Sequence, residues 1–226
     1  MSQIYLPGFA LMPSMYSRLD LDENKLCIDL DARDSLDETI TSLTNKIEPG
    51  SIAIGYSMGA RLALATALRE PSLFSGLVLI SLNAGINDIS ERKKRFDQDR
   101  ELGDLLVQNI DKGFERLDDS EVFETSEQNS DFIKENRIAS TEILIKQIHA
   151  LGLGSFDCLE DEMINLRIPV LYLSGSRDPK YCSLSAKYKK LTPFSHHRVV
   201  DSDHRVPINA PRTLSLQIKW FSDNVL

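Results

Sequence analysis

Ile52-Ala53-Ile54-Gly55-Tyr56-Ser57-Met58-Gly59-Ala60-Arg61 reads as a buried strand that turns, at a serine, directly into a helix. Residues 52–55 are apolar or small, with β-branched Ile52 and Ile54, and the alanine- and leucine-rich run 60–68 has the pattern of a buried helix. Between them Gly55-Tyr56-Ser57-Met58-Gly59 fits G-x-S-x-G, and the strand before and helix after are the context that gives this motif meaning. Such a turn strains the serine backbone, and glycines on both sides let neighbouring chain pass close by. The Ser57 hydroxyl then projects from the carboxyl end of a sheet. The N–H of Met58, at the start of the helix, points to the same place and can hold a developing oxyanion.

Working outward, Ile4-Tyr5-Leu6 is a short strand stopped by Pro7-Gly8, and Leu26-Cys27-Ile28-Asp29-Leu30 is a second. Ser35 with Glu38 three residues on is a capping box. It opens a helix whose apolar positions are Leu36, Ile40, Leu43 and Ile47, and Pro49-Gly50 ends it. Downstream, residues 76–82 form a continuous apolar strand, as expected of a sheet covered on both faces. The strand signal then vanishes from about Asn83 to about Ile168. That stretch holds a charged helix over 90–110, a short piece around Phe114 and Leu117, and an amphipathic helix over 131–151. Strands return at 169–175 and 197–201, and a helix from Pro211 to about Phe221 closes the chain. This alternation predicts one α/β domain over 1–226: a mostly parallel sheet of about six strands, helices on both faces, and a helical cap insertion, 84–167, over one edge.

Composition narrows the function. The chain has 226 residues, of which 42% are apolar and 27% charged, a globular balance. No apolar run approaches the ~18–20 residues needed to span a bilayer. The start, MSQIYLPGF, lacks a basic region followed by a long apolar stretch, so no secretory signal is expected and a cytoplasmic location is. Cys27, Cys158 and Cys182 are an odd number at wide spacing, which fits reduced thiols rather than disulfides or a zinc site. A net charge of -8 without a basic block argues against nucleic acid and anionic membrane as partners. It leaves room for a small anionic substrate held by a local cluster of arginines.

A serine on such a turn needs partners in the chain order serine, acid, histidine. Asp178, in Ser176-Arg177-Asp178, follows the strand that resumes after the insertion, and His204 follows the last strand. His204 would accept the Ser57 proton, and Asp178 would orient the imidazole and stabilise its cation. Asp201 and Asp203 are alternative acids on the histidine's own loop. His196 and His197 fit solvated or structural roles, and His149 a surface or packing role on its helix. The second oxyanion donor is expected in Leu6-Pro7-Gly8-Phe9-Ala10. Gly8 permits close approach there, Phe9 N–H is the donor, and Pro7 has no N–H to give.

These residues resemble the α/β-hydrolase superfamily over the whole chain. More narrowly they resemble the MenH family of 2-succinyl-6-hydroxy-2,4-cyclohexadiene-1-carboxylate synthases. The narrower likeness lies in GYSMGAR, the charged ERKKRFDQDREL, Asn136-Arg137 on the later insertion helix, Leu151-Gly152-Leu153-Gly154, and Gly175-Ser176-Arg177-Asp178-Pro179-Lys180-Tyr181. The resemblance implies a lyase of menaquinone biosynthesis that eliminates pyruvate from a polycarboxylate. The Ser57, Asp178 and His204 triad would abstract a proton, with no covalent acyl-enzyme and no metal or organic cofactor. It also implies that Arg95 (or Arg92, its register alternative) and Arg137 bind substrate. Arg61 stands one helical turn after Ser57, on the same face, where a guanidinium can clamp a carboxylate through two hydrogen bonds. Tyr56 is a further candidate for the pocket wall.

The sequence departs from the family at several points. Pro7 replaces a histidine, Ala60 and Asp203 replace glycines, and Leu117 stands near the expected place of a cap tryptophan. The two strands that usually precede the oxyanion strand have no counterpart before Ile4. A carboxylesterase or thioesterase of the same fold, such as a pimeloyl-carrier-protein methyl ester esterase, is the first rival; it would use Ser57 as a nucleophile beneath an apolar acyl pocket. A non-catalytic binding protein on the same fold is the second.

Overall fold

Strands apolar on both faces need cover on both sides, and the segments between them supply it. In the computed structural model, which describes residues 2–20, 24–123 and 129–226, six strands pair in parallel: β1 (Gln3–Leu6), β2 (Lys25–Cys27), β3 (Ser51–Tyr56), β4 (Phe74–Ile80), β5 (Val170–Gly175) and β6 (Ser195–Val200). Their order is β2-β1-β3-β4-β5-β6. The helices are α1 (Leu36–Thr44), α2 (Met58–Arg69), α3 (Ile89–Gln108), α4 (Ile110–Asp118), α5 (Ser130–Glu135), α6 (Thr141–Leu151), α7 (Pro179–Leu191), α8 (Val206–Asn209) and α9 (Pro211–Asn224). The expected α/β-hydrolase architecture is present.

Alternation along the strands divides the core. Ile4, Leu6, Leu77, Leu79 and Tyr172 pack with α1, α2 and Tyr188 of α7. Tyr5, Ile54, Val78, Ile80 and Leu173 pack on the other face with Leu214, Ile218 and Phe221 of α9. Period-two exposure to two helical layers explains why these strands read as unbroken apolar runs.

Several boundaries differ from expectation. The second strand pairs only over Lys25–Cys27, opposite Gln3 to Tyr5 of β1, and not over 28–30. Ser35 accepts the Glu38 N–H as the capping box predicts, yet α1 stops at Thr44. The chain continues toward Pro49 through tighter bonds, Lys46 N–H to Leu43 O and Ile47 N–H to Thr44 O. Helix α7, not anticipated from the sequence, starts with Asp178 as its N-cap and Pro179 in the first turn.

The expected helix over 131–151 is two helices, α5 and α6, and Arg137 lies in the break rather than on a helix. Ser140 caps the second piece by accepting the Ile143 N–H. The intervening chain is extended and pairs antiparallel with the loop after β1: Met12 N–H bonds Asn136 O and Ile138 N–H bonds Ala10 O, with Arg137 opposite Leu11. The short piece around Phe114 and Leu117 is α4.

Helix α6 of the insertion meets the loops that follow the carboxyl ends of β1 and β2. Gln147 of α6 shows this directly. Its Oε1 accepts the Ala10 N–H at 3.1 Å in the loop after β1, and its Nε2 donates to Leu30 O at 3.0 Å after β2.

Candidate active site

Ser57 joins β3 to α2 with φ 52° and ψ -109°, a conformation that L-residues avoid and that is held here by close packing. A Cβ on Gly59 would come within 2.3 Å of Leu6 O and 2.4 Å of Pro7 O, so only glycine lets the β1 loop run against the turn. That contact places Phe9 beside Ser57 in the wall of one pocket. Met58 opens α2, so its N–H belongs to the first turn, whose donors have no intrahelical acceptor.

The other two groups arrive from β5 and β6. A Cβ on Gly175 would fall 2.0 Å from Asp203 O, so the two loops touch as only a glycine permits. Asp178 and His204 are buried, and His204 Nδ1 lies 2.7 Å from Asp178 Oδ2. His204 Nε2 lies 3.1 Å from Ser57 Oγ. The ring is fixed by edge-on contact with Tyr181, centroids 4.3 Å apart, and by Phe123 and Tyr56 farther off. Ser81, itself at φ 50°, donates its hydroxyl to His204 O at 3.0 Å.

The competing acids point elsewhere. Asp201 is exposed and paired with Arg177. Asp203 Oδ1 accepts from Arg205 N–H at 2.9 Å and from Asn209 Nδ2 at 2.7 Å, which braces the histidine loop. This gives the aspartate a structural use within its own loop. His149 is exposed on α6, outside the pocket wall. His196 packs on Trp220, and His197 Nε2 lies 3.1 Å from Ser174 Oγ.

Above Ser57 and His204 the pocket wall carries Arg61, Arg95, Arg137, Lys180 and Arg205, with Asp99 as its acid. Arg61 is buried; it donates to Leu151 O at 2.5 Å and, at 3.5 Å, to Asn83 O, while its Nε has no hydrogen-bond partner. Burial lowers its pKa to about 10. Arg95 pairs with Asp99 at 2.7 Å, and Asp99 in turn accepts the Gly154 N–H. Arg92 instead reaches Asp157 at the surface and is absent from the wall, so Arg95 is the register that faces the pocket. Burial pushes the Tyr56 phenol well above its ordinary range against the pull of nearby Arg205. Among the described residues no cluster of three His, Cys, Asp or Glu side chains is placed to hold a metal ion, and no helix is long and apolar enough to cross a membrane.

No family model matches the sequence. A Bacillus subtilis (strain 168) protein provisionally named 2-succinyl-6-hydroxy-2,4-cyclohexadiene-1-carboxylate synthase is 29% identical over 179 residues, covering 76% of this chain and 65% of that protein. The synthase of the same name from Yersinia pseudotuberculosis (strain YPIII) is 25% identical over 174 residues, covering 74% and 61%. The alignments thus span less than two thirds of these curated relatives. The solved structure of MenH from S. aureus superposes with a TM-score of 0.90 at 21% identity, over 98% of this chain and 92% of that one. The chain has the α/β-hydrolase fold and is MenH-like.

For a MenH-like chain, sequence reasoning anticipated Ser57, Asp178, His204, Phe9, Met58, Tyr56, Arg61, Arg95 and Arg137, and all but Asp178, which lies behind the histidine, line the one pocket. It missed Arg205, Lys180, Tyr181 and Phe123. Arg205 and Lys180 had a local signal: each stands within two residues of a group already singled out. Phe123 had none, since it reaches the histidine from a distant part of the insertion.

Proposed function

We propose that this protein is a MenH-like lyase that eliminates pyruvate from a polycarboxylate intermediate to give 2-succinyl-6-hydroxy-2,4-cyclohexadiene-1-carboxylate, with residues 84–167 serving as its cap. The observation that carries this reading is the set of four arginines and one lysine lining a single pocket directly above Ser57 and His204. A substrate with several carboxylates neutralises such a wall, and planar guanidiniums match carboxylates through paired hydrogen bonds.

In this mechanism His204 takes the Ser57 proton, and the seryl oxygen takes a C–H proton from the substrate. The electron pair left on carbon forms the new double bond as the C–O bond to the leaving group breaks, and the departing enolate takes the proton held by His204 and becomes pyruvate. Charge developing on a carbonyl-derived oxygen is held by the N–H groups of Phe9 and Met58. Asp178 keeps the imidazole in the tautomer that can accept at Nε2 and stabilises its cationic form. No step needs a metal or an organic cofactor.

A serine esterase is the second reading. It is favoured by the apolar part of the same wall, where Leu11, Leu102, Leu117, Ile133 and Ile148 offer cover for an acyl chain. A pyruvate-release assay with the succinyl-cyclohexene dicarboxylate precursor separates the two. Pyruvate formation well above the spontaneous rate supports the lyase. A rate no faster than spontaneous, with rapid hydrolysis of simple esters, transfers the assignment to the esterase. Failure of a serine-directed phosphonate to label Ser57 would instead point to a binding protein.

A further inference from the structure

Arg205 follows His204 directly, and its guanidinium lies over the Phe123 ring, 3.8 Å from the centroid. Its Nη2 donates to Asp118 Oδ1, at the end of α4. Arg137, from the break between α5 and α6, donates its Nη2 to the same oxygen at 2.5 Å, and its guanidinium lies over Phe114. Segments far apart in the chain therefore converge on one carboxylate oxygen. The two arginine side chains are only 9% and 8% exposed, whereas Asp118 is 42% exposed. One carboxylate cannot neutralise two guanidiniums, and both of these line the pocket while Asp118 does not. Each guanidinium carries five N–H donors, and the Asp118 oxygen takes one from each. A positive, largely desolvated pair with donors to spare is thus presented toward Ser57.

We propose that Arg137 and Arg205 form a carboxylate subsite beside Tyr56, with Asp118 as the residue that positions both guanidiniums. Arg61, Arg95 and Lys180 lie near Tyr181, so the pocket offers two groups of cations, this one and the Arg137–Arg205 pair, with Ser57 and His204 in the same wall. A ligand with carboxylates on both sides of its reacting carbon can engage both groups; a monocarboxylate can engage one. Arg205 is then the residue that favours polycarboxylates. This proposal rests on the polyanion reading of the pocket and adds to it a residue and a partition of the charge.

The test uses the full chain with tricarballylate as a non-reacting probe, its neutral triamide as control, and pyruvate release as a separate readout. Binding is measured by calorimetry, and thermal melting checks each variant's fold. Arg205→Gln should weaken tricarballylate about tenfold to a hundredfold, the scale of a lost charge-assisted pair. It should also raise KM for the elimination substrate more than it lowers kcat. Arg205→Lys should recover part of the affinity. Asp118→Asn makes the pocket more positive, so a merely competing carboxylate would tighten binding when neutralised; a positioning residue gives the opposite sign, a loss of about threefold or more. Affinity for Arg205→Gln within twofold of the unaltered chain overturns the subsite, as does an unaltered chain that binds triamide as well as tricarballylate or binds neither. If Arg205→Gln does not fold, the sign of the Asp118→Asn effect decides. Loss of tricarballylate affinity in a chain that releases no pyruvate keeps the subsite and removes the lyase; pyruvate release unaffected by Arg205→Gln does the reverse.

Discussion

Asp178 serves two partners with its two oxygens: Oδ2 lies 2.7 Å from His204 Nδ1, and Oδ1 receives the Tyr181 N–H at 3.2 Å. One carboxylate both starts α7 and orients the imidazole. Asp178→Asn separates these duties. The amide oxygen can still cap the helix, but the amide N–H₂ cannot accept from Nδ1, so the ring is driven to the other tautomer. We expect kcat to fall by roughly 10³–10⁴, as for the equivalent change in a serine protease, with the melting transition lowered by no more than about 1 kcal/mol. Steady-state kinetics and a thermal melt check this; a loss below tenfold would remove Asp178 from the mechanism.

Ser57 illustrates a cost the fold carries for its chemistry. With φ at 52° and ψ at -109°, it occupies a region where a Cβ is crowded by its own backbone. Ser57→Gly should relieve that strain and stabilise the protein by about 1–3 kcal/mol, the range for a single disfavoured backbone conformation. The same change should abolish turnover. A melting temperature that falls instead would mean the hydroxyl supports the fold more than the turn strains it.

The sheet and the three groups on its rim were legible because each depends on local pattern. The run 52–61 encodes strand, turn and helix together, and chain order then assigns Asp178 and His204. The cap was less legible because its structure is set by long-range contact. Residues 131–151 keep helical spacing, yet the segment opens at Asn136–Arg137 to pair with the chain around Leu11, which no local count can reveal. Arg137 therefore reaches the pocket from an extended segment. Helix α7 is hidden for a different reason: Asp178 is both the acid beside the histidine and the N-cap before Pro179, and the first role masks the second.

His197 sets a pH dependence of stability outside the pocket. It is half-buried on β6 with Nε2 3.1 Å from Ser174 Oγ, and burial holds its pKa below the ordinary histidine value. In the unfolded chain the ring takes a proton near pH 6.5; in the folded chain it does so only at lower pH. The unfolded state thus binds more protons in that window, and stability drops as pH falls below about 6.5 until the folded value is passed. His197→Gln should flatten this part of the curve. Chemical denaturation between pH 5 and 8 measures it, and equal slopes for both proteins would contradict the assignment.

Arg61 joins fold and site most tightly, so its replacements must be chosen to separate the two. Its guanidinium holds Leu151 O at 2.5 Å, at the end of α6, while its Nε is buried without a partner and the side chain lines the pocket. Arg61→Ala removes the charge but also strands a buried carbonyl, which costs about 1–3 kcal/mol of stability. Arg61→Lys keeps a cation and a donor but loses the planar fork. A carboxylate clamp needs the fork. Arg61→Lys should therefore raise KM for the polycarboxylate substrate about tenfold, with a much smaller effect on hydrolysis of a neutral ester. Arg61→Ala should show the same bias with a lower melting temperature. Equal losses on charged and neutral substrates, in either variant, would make Arg61 a strut between α2 and α6 and leave the substrate carboxylates to the remaining cations.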